Sequence, residues 1–311
     1  AHLAGTVNIL SLTFEPVYME DSFFYKLLIY SLFDDNHTYC IRCYTCAQRG
    51  NYMNYDVNYI KEVLYHAGEY IMGQLRDDSI YSKGKDDYVT EIDLIVQDQI
   101  KTCLMDKYPD VQFMSEEQIN EVDFSQPCWV LDPIDGTTNL IHDYHCSVIS
   151  LALLENGEPT IGLIYNPYMG ELFYGIKGQG AYLNEHRIHV SHQENLSSSL
   201  VAVGTSPYYK DDEMLDKNFY TIKEVMKHCS DIRRSGSCAL DIAWTACGRV
   251  EAYLERRVKL WDYAAGKVIL EEAGGILCDY RGHPIKNQLI TNLVVGKENV
   301  VHDLISQCIN K

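Results

Sequence analysis

Long hydrophobic runs are scarce in this sequence. The longest one near its beginning, residues 23–33, is interrupted by Lys26 and falls short of the roughly 20 apolar residues that a spanning helix needs. No transmembrane segment is expected, and the membrane is excluded as a partner. Basic residues are scarce as well: 26 Lys and Arg stand against 44 Asp and Glu, for a net charge of −18. Binding nucleic acid takes clustered Lys and Arg to meet the phosphates, so nucleic acid is also excluded as a partner. Residues 1–52 carry no positively charged start followed by a small-residue cleavage site, so no secretory signal is expected there. The chain has no phosphate-binding P-loop, no dinucleotide glycine pattern and no Ser-His-Asp arrangement. Internal repeats and low-complexity segments are absent too.

What is present fits a globular protein of one large or two medium domains: 311 residues, 46% of them hydrophobic. The 11 cysteines are odd in number and scattered, which favours free thiols in a reducing compartment over a disulfide framework. A cytoplasmic location follows as the expectation. Cys40, Cys43 and Cys46, with His37 before them, open like a zinc or iron–sulfur site. No fourth cysteine follows in range, and they are taken as thiols.

Residues 1–52 show neither sustained helical periodicity nor alternation. From Met53 the character changes: Val57, Ile60, Leu64, Ala67, Ile71 and Leu75 define one apolar helical stripe. The folded protein is expected to begin near Met53, with residues 1–52 an extension outside the core. A polar loop from Ser82 leads to a second helix with Ile92, Val96, Ile100 and Leu104 on one face, and Thr90 with Asp93 matches a capping box. A short strand over residues 111–114 then runs into Ser115-Glu116-Glu117. Beyond residue 147, apolar runs punctuated by Asn156-Gly157 and a hairpin tip at 184–187 predict an antiparallel meander. The polar stretch 191–199 marks the boundary between an N-terminal α+β domain (53–195) and a C-terminal α/β domain (196–311), in which strands and helices alternate.

The most informative stretch is residues 129–140, Trp-Val-Leu-Asp-Pro-Ile-Asp-Gly-Thr-Thr-Asn-Leu. An apolar strand reaches Asp132, Pro133 stops it, and Asp135 follows three residues on. These residues suit an ordinary turn. They equally suit a site for a hard divalent metal, since two buried acids need a cation to offset their desolvation. Asp262 sits where a helix N-cap is wanted. Asp93, Glu116, Asp132, Asp135 and Asp262 each fall at a strand end or helix start, where side chains can converge. His142 and His145 accompany no nucleophile and are assigned to structure.

Glu116-Glu117, the run Asp132-Pro-Ile-Asp-Gly-Thr-Thr-Asn139, and Trp261-Asp262-Tyr-Ala-Ala-Gly266 with the Glu-Glu-Ala-Gly-Gly of 271–275 resemble the signatures of the inositol monophosphatase family. The resemblance covers residues 53–311, with Ser115 and Leu140 as mild departures from the usual pattern. It implies a layered αβαβα sandwich of the α/β class and a lithium-sensitive phosphomonoesterase using about two or three Mg2+ ions. The family often forms homodimers. By resemblance, Glu116, Asp132, Asp135, the Ile134 carbonyl and Asp262 would bind metal. Asp93 and Thr137, with Glu116, would activate the attacking water. Gly136 and Thr137 would hold phosphate, beside Asp135 and Asp262. Glu255 and the Gly236-Ser237-Cys238 turn would contact the alcohol, and Lys83 matches a basic residue near the metals. Glu255, without a recognisable second basic cluster, favours a monophosphate such as myo-inositol monophosphate. Sugar bisphosphates, nucleotides and histidinol phosphate are the alternatives within related families, and a non-catalytic metal-binding regulatory module is the alternative outside them.

Overall fold

The computed structural model describes residues 55–74, 80–84, 87–207 and 209–309. The chain divides into two units, residues 1–55 and 56–311, and the elements described belong to the second. The expectations for residues 1–52, the Cys40, Cys43 and Cys46 cluster and the Lys83 side chain lie outside the described residues.

The stripe from Val57 onward forms helix α1 (Val57–Gln74), with Ile60, Leu64, Ala67 and Ile71 buried. The polar loop expected before the second helix is a two-stranded antiparallel hairpin, β1 (Ile80–Gly84) and β2 (Asp87–Thr90). Tyr88, Val89 and Thr90 supply the strand formers that its charged residues hide. Helix α2 (Glu91–Lys107) follows, then β3 (Gln112–Ser115), β4 (Cys128–Asp135) and the single-turn α3 (Thr137–Ile141). Strands β5 (Val148–Glu155), β6 (Glu158–Asn166), β7 (Glu171–Ile176), β8 (Gly180–Leu183) and β9 (His186–Arg187) form the expected meander. Asn156-Gly157 and Asn184-Glu185 make its tight turns with positive φ at both residues, the geometry that fits the twist of a hairpin.

The C-terminal half holds β10 (Leu200–Val203), α4 (Asp212–His228), β11 (Asp231–Arg233) and α5 (Cys238–Ala246). After these come β12 (Ala252–Lys259), α6 (Leu260–Glu272), β13 (Ile276–Cys278), β14 (Ile290–Gly296) and α7 (Glu298–Leu304), which ends in a π turn. The larger sheet has the order β3-β4-β5-β6-β7-β8-β9 and the smaller β11-β10-β12-β14-β13, both mixed. Helices α1 and α2 cover the outer face of the larger sheet, α5 and α6 lie between the sheets, and α4 and α7 pack beyond the smaller one. This is the five-layered αβαβα sandwich.

The middle layer decides where the site can be. One apolar core draws Val130 and Ile164 from the larger sheet, Leu240 and Tyr263 from α5 and α6, and Leu293 from the smaller sheet. It is continuous across residues 191–199. Helix α6 lies so close to the larger sheet that a Cβ at Gly162 would stand 2.4 Å from the Ala265 carbonyl oxygen. Dense packing of this kind resists displacement, and it holds α6, which follows directly on β12, against the larger sheet.

Candidate active site

Register brings the first acids together. β3 and β4 are parallel, with Ser115 beside Leu131, and the Glu116 N–H continues the ladder to the Leu131 carbonyl at 3.2 Å. Glu116 therefore sits alongside Asp132. In a regular strand, residues three apart point to opposite faces. Here β4 advances three residues from Asp132 to Asp135 while β5 advances two, from Ser150 to Val148. The bulge at Pro133 and Ile134 puts Asp132 and Asp135 on one side, and both line the same cavity. Pro133 thus does not end the strand as expected: it sits in a bulge, where its missing N–H costs no ladder bond.

Asp262 comes from the start of α6. It is the third residue of the helix and not its cap. Its carboxylate accepts the Lys259 N–H at 2.7 Å. Asp93 reaches in from the first turn of α2, 1% exposed, and accepts a hydrogen bond from the Thr137 hydroxyl at 3.3 Å. The Thr137 hydroxyl also lies 3.2 Å from the Ile134 carbonyl. Gly136, Thr137 and Thr138 line the cavity beside these acids.

The Gly236-Ser237-Cys238 turn lines the cavity and leads into the residues that anchor Asp135. Ser237 caps α5 by accepting the Leu240 N–H at 3.2 Å, and its own hydroxyl donates to Asp135 Oδ2 at 2.6 Å. The Ala239 N–H reaches the same oxygen at 2.6 Å. Asp135 is thereby fixed at the positive end of α5. Asn139 ties the two loops together, donating to the Cys146 and Ser235 carbonyls at 2.8 and 3.0 Å. Cys238 is buried on the cavity wall, and burial pushes its thiol well up.

Glu255, on β12, is held by the Ser206 N–H at 2.7 Å and the Tyr253 hydroxyl. Burial raises its pKa, and Tyr253, Ser206 and Arg234 oppose that rise. The cavity wall closes at Gly204, where a Cβ would stand 2.0 Å from the Glu255 carboxyl carbon.

The electrostatics are those of crowded acids. Burial, then the charges of Glu116, Asp135, Asp262 and Asp93, hold Asp132 well above the usual carboxylate range. Burial, then Asp135 and Glu116, raise Asp262 against the local pull of Lys259. Asp135 is pushed up to about 7, first by burial, although Ser237 and Ala239 pull it down. Lys259 Nζ, 3.1 Å from Glu116, is the cation paired within this cluster. Among the described residues, no three His, Cys, Asp or Glu side chains already form a metal cage. Each acid leans on a local donor, as like charges in a low-dielectric site must. Of these five acids only Glu116 has a lysine within ion-pair distance among the described residues, and their hard oxygen donors fit Mg2+ in kind.

Several cavity residues escaped sequence reading. Asp241, 2% exposed and with one unpartnered carboxylate oxygen, lies on the buried first turn of α5. Burial pushes it up to about 8, with Ser235 opposing. Its signal was an acid inside the otherwise apolar Cys-Ala-Leu-Asp-Ile-Ala helix. Arg234, Arg256, Arg257 and Lys259 also line the cavity; three of them stand together as Arg256-Arg257-Val-Lys259, a basic run that sequence reading passed over. Arg257 has φ +56° in the bulge of β12 between Glu255 and Val258, a conformation costing a side-chain-bearing residue about 1–2 kcal/mol. Glu117, His142 and His145 do not line the cavity; His145 instead pairs with Asp143 at 2.9 Å and stacks on Tyr168.

Comparison with known proteins gives one family. The model of the inositol monophosphatase family matches residues 55–309. "Nus factor SuhB" of Xylella fastidiosa is 36% identical over 233 residues, spanning 72% of this chain and 82% of that protein. "Inositol monophosphatase" of Mesembryanthemum crystallinum is 39% identical over 211 residues, spanning 66% and 77%. Among solved structures, the Thermotoga maritima IMPase superposes with a TM-score of 0.74 at 33% identity, covering 82% of this chain and 96% of that one. No helix among the described residues is long and apolar enough to cross a membrane. The chain belongs to the inositol monophosphatase family.

Proposed function

We propose that the protein hydrolyses phosphate monoesters of small polyhydroxylated alcohols in an Mg2+-dependent reaction, with myo-inositol monophosphate as the reference substrate. The observation that carries this reading is the convergence of Glu116, Asp132, Asp135 and Asp262 in one cavity beside the Asp93–Thr137 hydrogen bond. Glu116, Asp132, Asp135, the Ile134 carbonyl and Asp262 would hold the metal. When bound, a hard divalent ion lowers the pKa of a water and neutralises charge on phosphate oxygens. Asp93 accepts a hydrogen bond from the Thr137 hydroxyl, which leaves the Thr137 oxygen to accept a hydrogen bond from a water and orient it. The N–H groups of Gly136 and Thr137 are the candidate phosphate donors, and Glu255 would accept from a hydroxyl of the alcohol. Membership in the family extends the reading to a lithium-sensitive, cytoplasmic homodimer.

Phosphate release from a panel of phosphomonoesters, with Mg2+ and with EDTA, tests the proposal. Metal-dependent release from a polyol phosphate is the expected result, and no release from any ester would overturn it. That second outcome would favour a non-catalytic regulatory module, a reading to which the name Nus factor of the Xylella relative lends weight. A further expectation concerns Glu255. Gly204→Ala should displace its carboxyl and raise KM for a polyol phosphate about tenfold, by breaking a charge-assisted hydrogen bond to substrate. An unchanged KM would remove Glu255 from substrate binding.

A further inference from the structure

We propose that the mouth of this cavity binds a second anionic group of the substrate on the guanidinium groups of Arg234 and Arg257, so that the preferred phosphate monoester carries a further phosphate or carboxylate on its alcohol part. The proposal rests on the phosphomonoesterase reading and narrows its substrate class.

Four cations line the cavity, and two of them are committed to the protein. Lys259 pairs with Glu116. Arg256 donates to the Thr221 hydroxyl at 3.0 Å and lies over the Tyr280 ring. Arg234 and Arg257 differ from these. Both are exposed at the cavity, and among the described residues neither is in an ion pair, whereas Arg233 and Arg249 each hold a carboxylate at 2.6 and 2.5 Å. The Arg234 charge does act on Glu255, but from beyond ion-pair distance.

Both are also pre-ordered. The Arg257 guanidinium lies 3.9 Å from the Tyr209 ring centroid, and Tyr209 is itself part of the wall. The Arg234 Nε–H donates to the Thr205 hydroxyl at 3.1 Å, which leaves its terminal nitrogens as donors. Planar guanidinium groups held this way suit bidentate contact with phosphate or carboxylate and lose little entropy on binding. Their place in the chain fits the alcohol side of the site: Arg257 follows Glu255 by two residues and Arg234 precedes Gly236 by two. A net charge of −18 repels a multiply charged ester at long range, so a local cationic rim is what such a substrate requires.

The test compares kcat/KM in full-length protein for two matched pairs: inositol 1-phosphate with inositol 1,4-bisphosphate, and glycerol 2-phosphate with 2-phosphoglycerate. The doubly anionic member of a pair should be preferred by about tenfold or more, chiefly through KM. That preference should fall to near unity in Arg257→Gly/Arg234→Gln. Glycine suits the positive φ at 257, and glutamine keeps a donor for Thr205, so the variant is built to fold. The pair that shows the preference identifies phosphate or carboxylate. Equal kcat/KM within both pairs, or a preference unchanged in the variant, overturns the proposal. If no ester is hydrolysed, the phosphatase reading fails by itself, and equilibrium binding of inositol 1,4-bisphosphate decides the rim: about tenfold weaker binding in the variant supports it, and unchanged or absent binding overturns it.

Discussion

Asp135→Asn is expected to abolish Mg2+-dependent phosphate release while the fold persists. Asp135 lies on the same side of β4 as Asp132 because of the bulge between them, and its Oδ2 is fixed by Ser237 and Ala239. An amide of the same shape can keep its oxygen on those two donors, so the position stays packed. What it loses is the negative charge and a hard anionic oxygen for the metal. The fall in kcat/KM should exceed the roughly 10–100-fold that losing an outer partner of a metal site costs. Circular dichroism and the urea midpoint, measured without metal, should match or exceed those of the parent, because a like charge has left a crowded, buried cluster. Parent-level Mg2+-dependent turnover in this variant would remove Asp135 from metal binding.

Stripped of divalent cations, the protein should become less stable as pH rises from about 5 to 8, and Mg2+ should restore the loss at the upper end. Asp132, Asp135, Asp241 and Asp262 all have folded-state pKa values raised above the ordinary carboxylate value, chiefly by burial. Between the unfolded and the folded value the native state holds the extra proton, so stability falls as pH climbs through that interval. For Asp135 the interval runs from 3.8 to about 7, and for Asp241 from 3.8 to about 8. Together they bring a loss on the order of several kcal/mol. Asp56, Asp123 and Asp231 are shifted the other way, by backbone hydrogen bonds at the first two and by Arg233 at the last. Their contribution is lost as pH falls below the carboxylate range, outside the window chosen. Urea midpoints at pH 5 and pH 8, in EDTA and in Mg2+, measure the effect. A midpoint in EDTA that is flat or rises with pH would contradict the electrostatic account of the site. Asp241→Asn should reduce the slope.

Much of the fold was legible in local chemistry. The spacing of Ile60, Leu64, Ala67 and Ile71 predicts α1, and Asn156-Gly157 predicts the β5–β6 turn, because periodicity and turn residues act over a few positions. The β1–β2 hairpin was not legible, since charged residues mask its short strands. Asp262 was expected at the helix N-cap, whereas the helix begins at Leu260 and Asp262 is its third residue, accepting the Lys259 N–H from there. Arg234 follows β11 and Arg257 lies in β12, far apart in sequence, so no local pattern unites them.

By itself, the sequence determined the residue types and their order: strand-end acids beside Gly136 and Thr137, an acidic surface, and the signatures through which the family resemblance enters. The tertiary structure alone decided which side chains meet. The bulge in β4 turned Asp132 and Asp135 to one face, the packing of α6 against Gly162 carried Asp262 to them, and the bulge in β12 set Arg257 at the cavity mouth. The physical reason is one of range. Periodicity and capping act over a few residues of one segment, whereas convergence depends on register and close packing between segments remote in the chain.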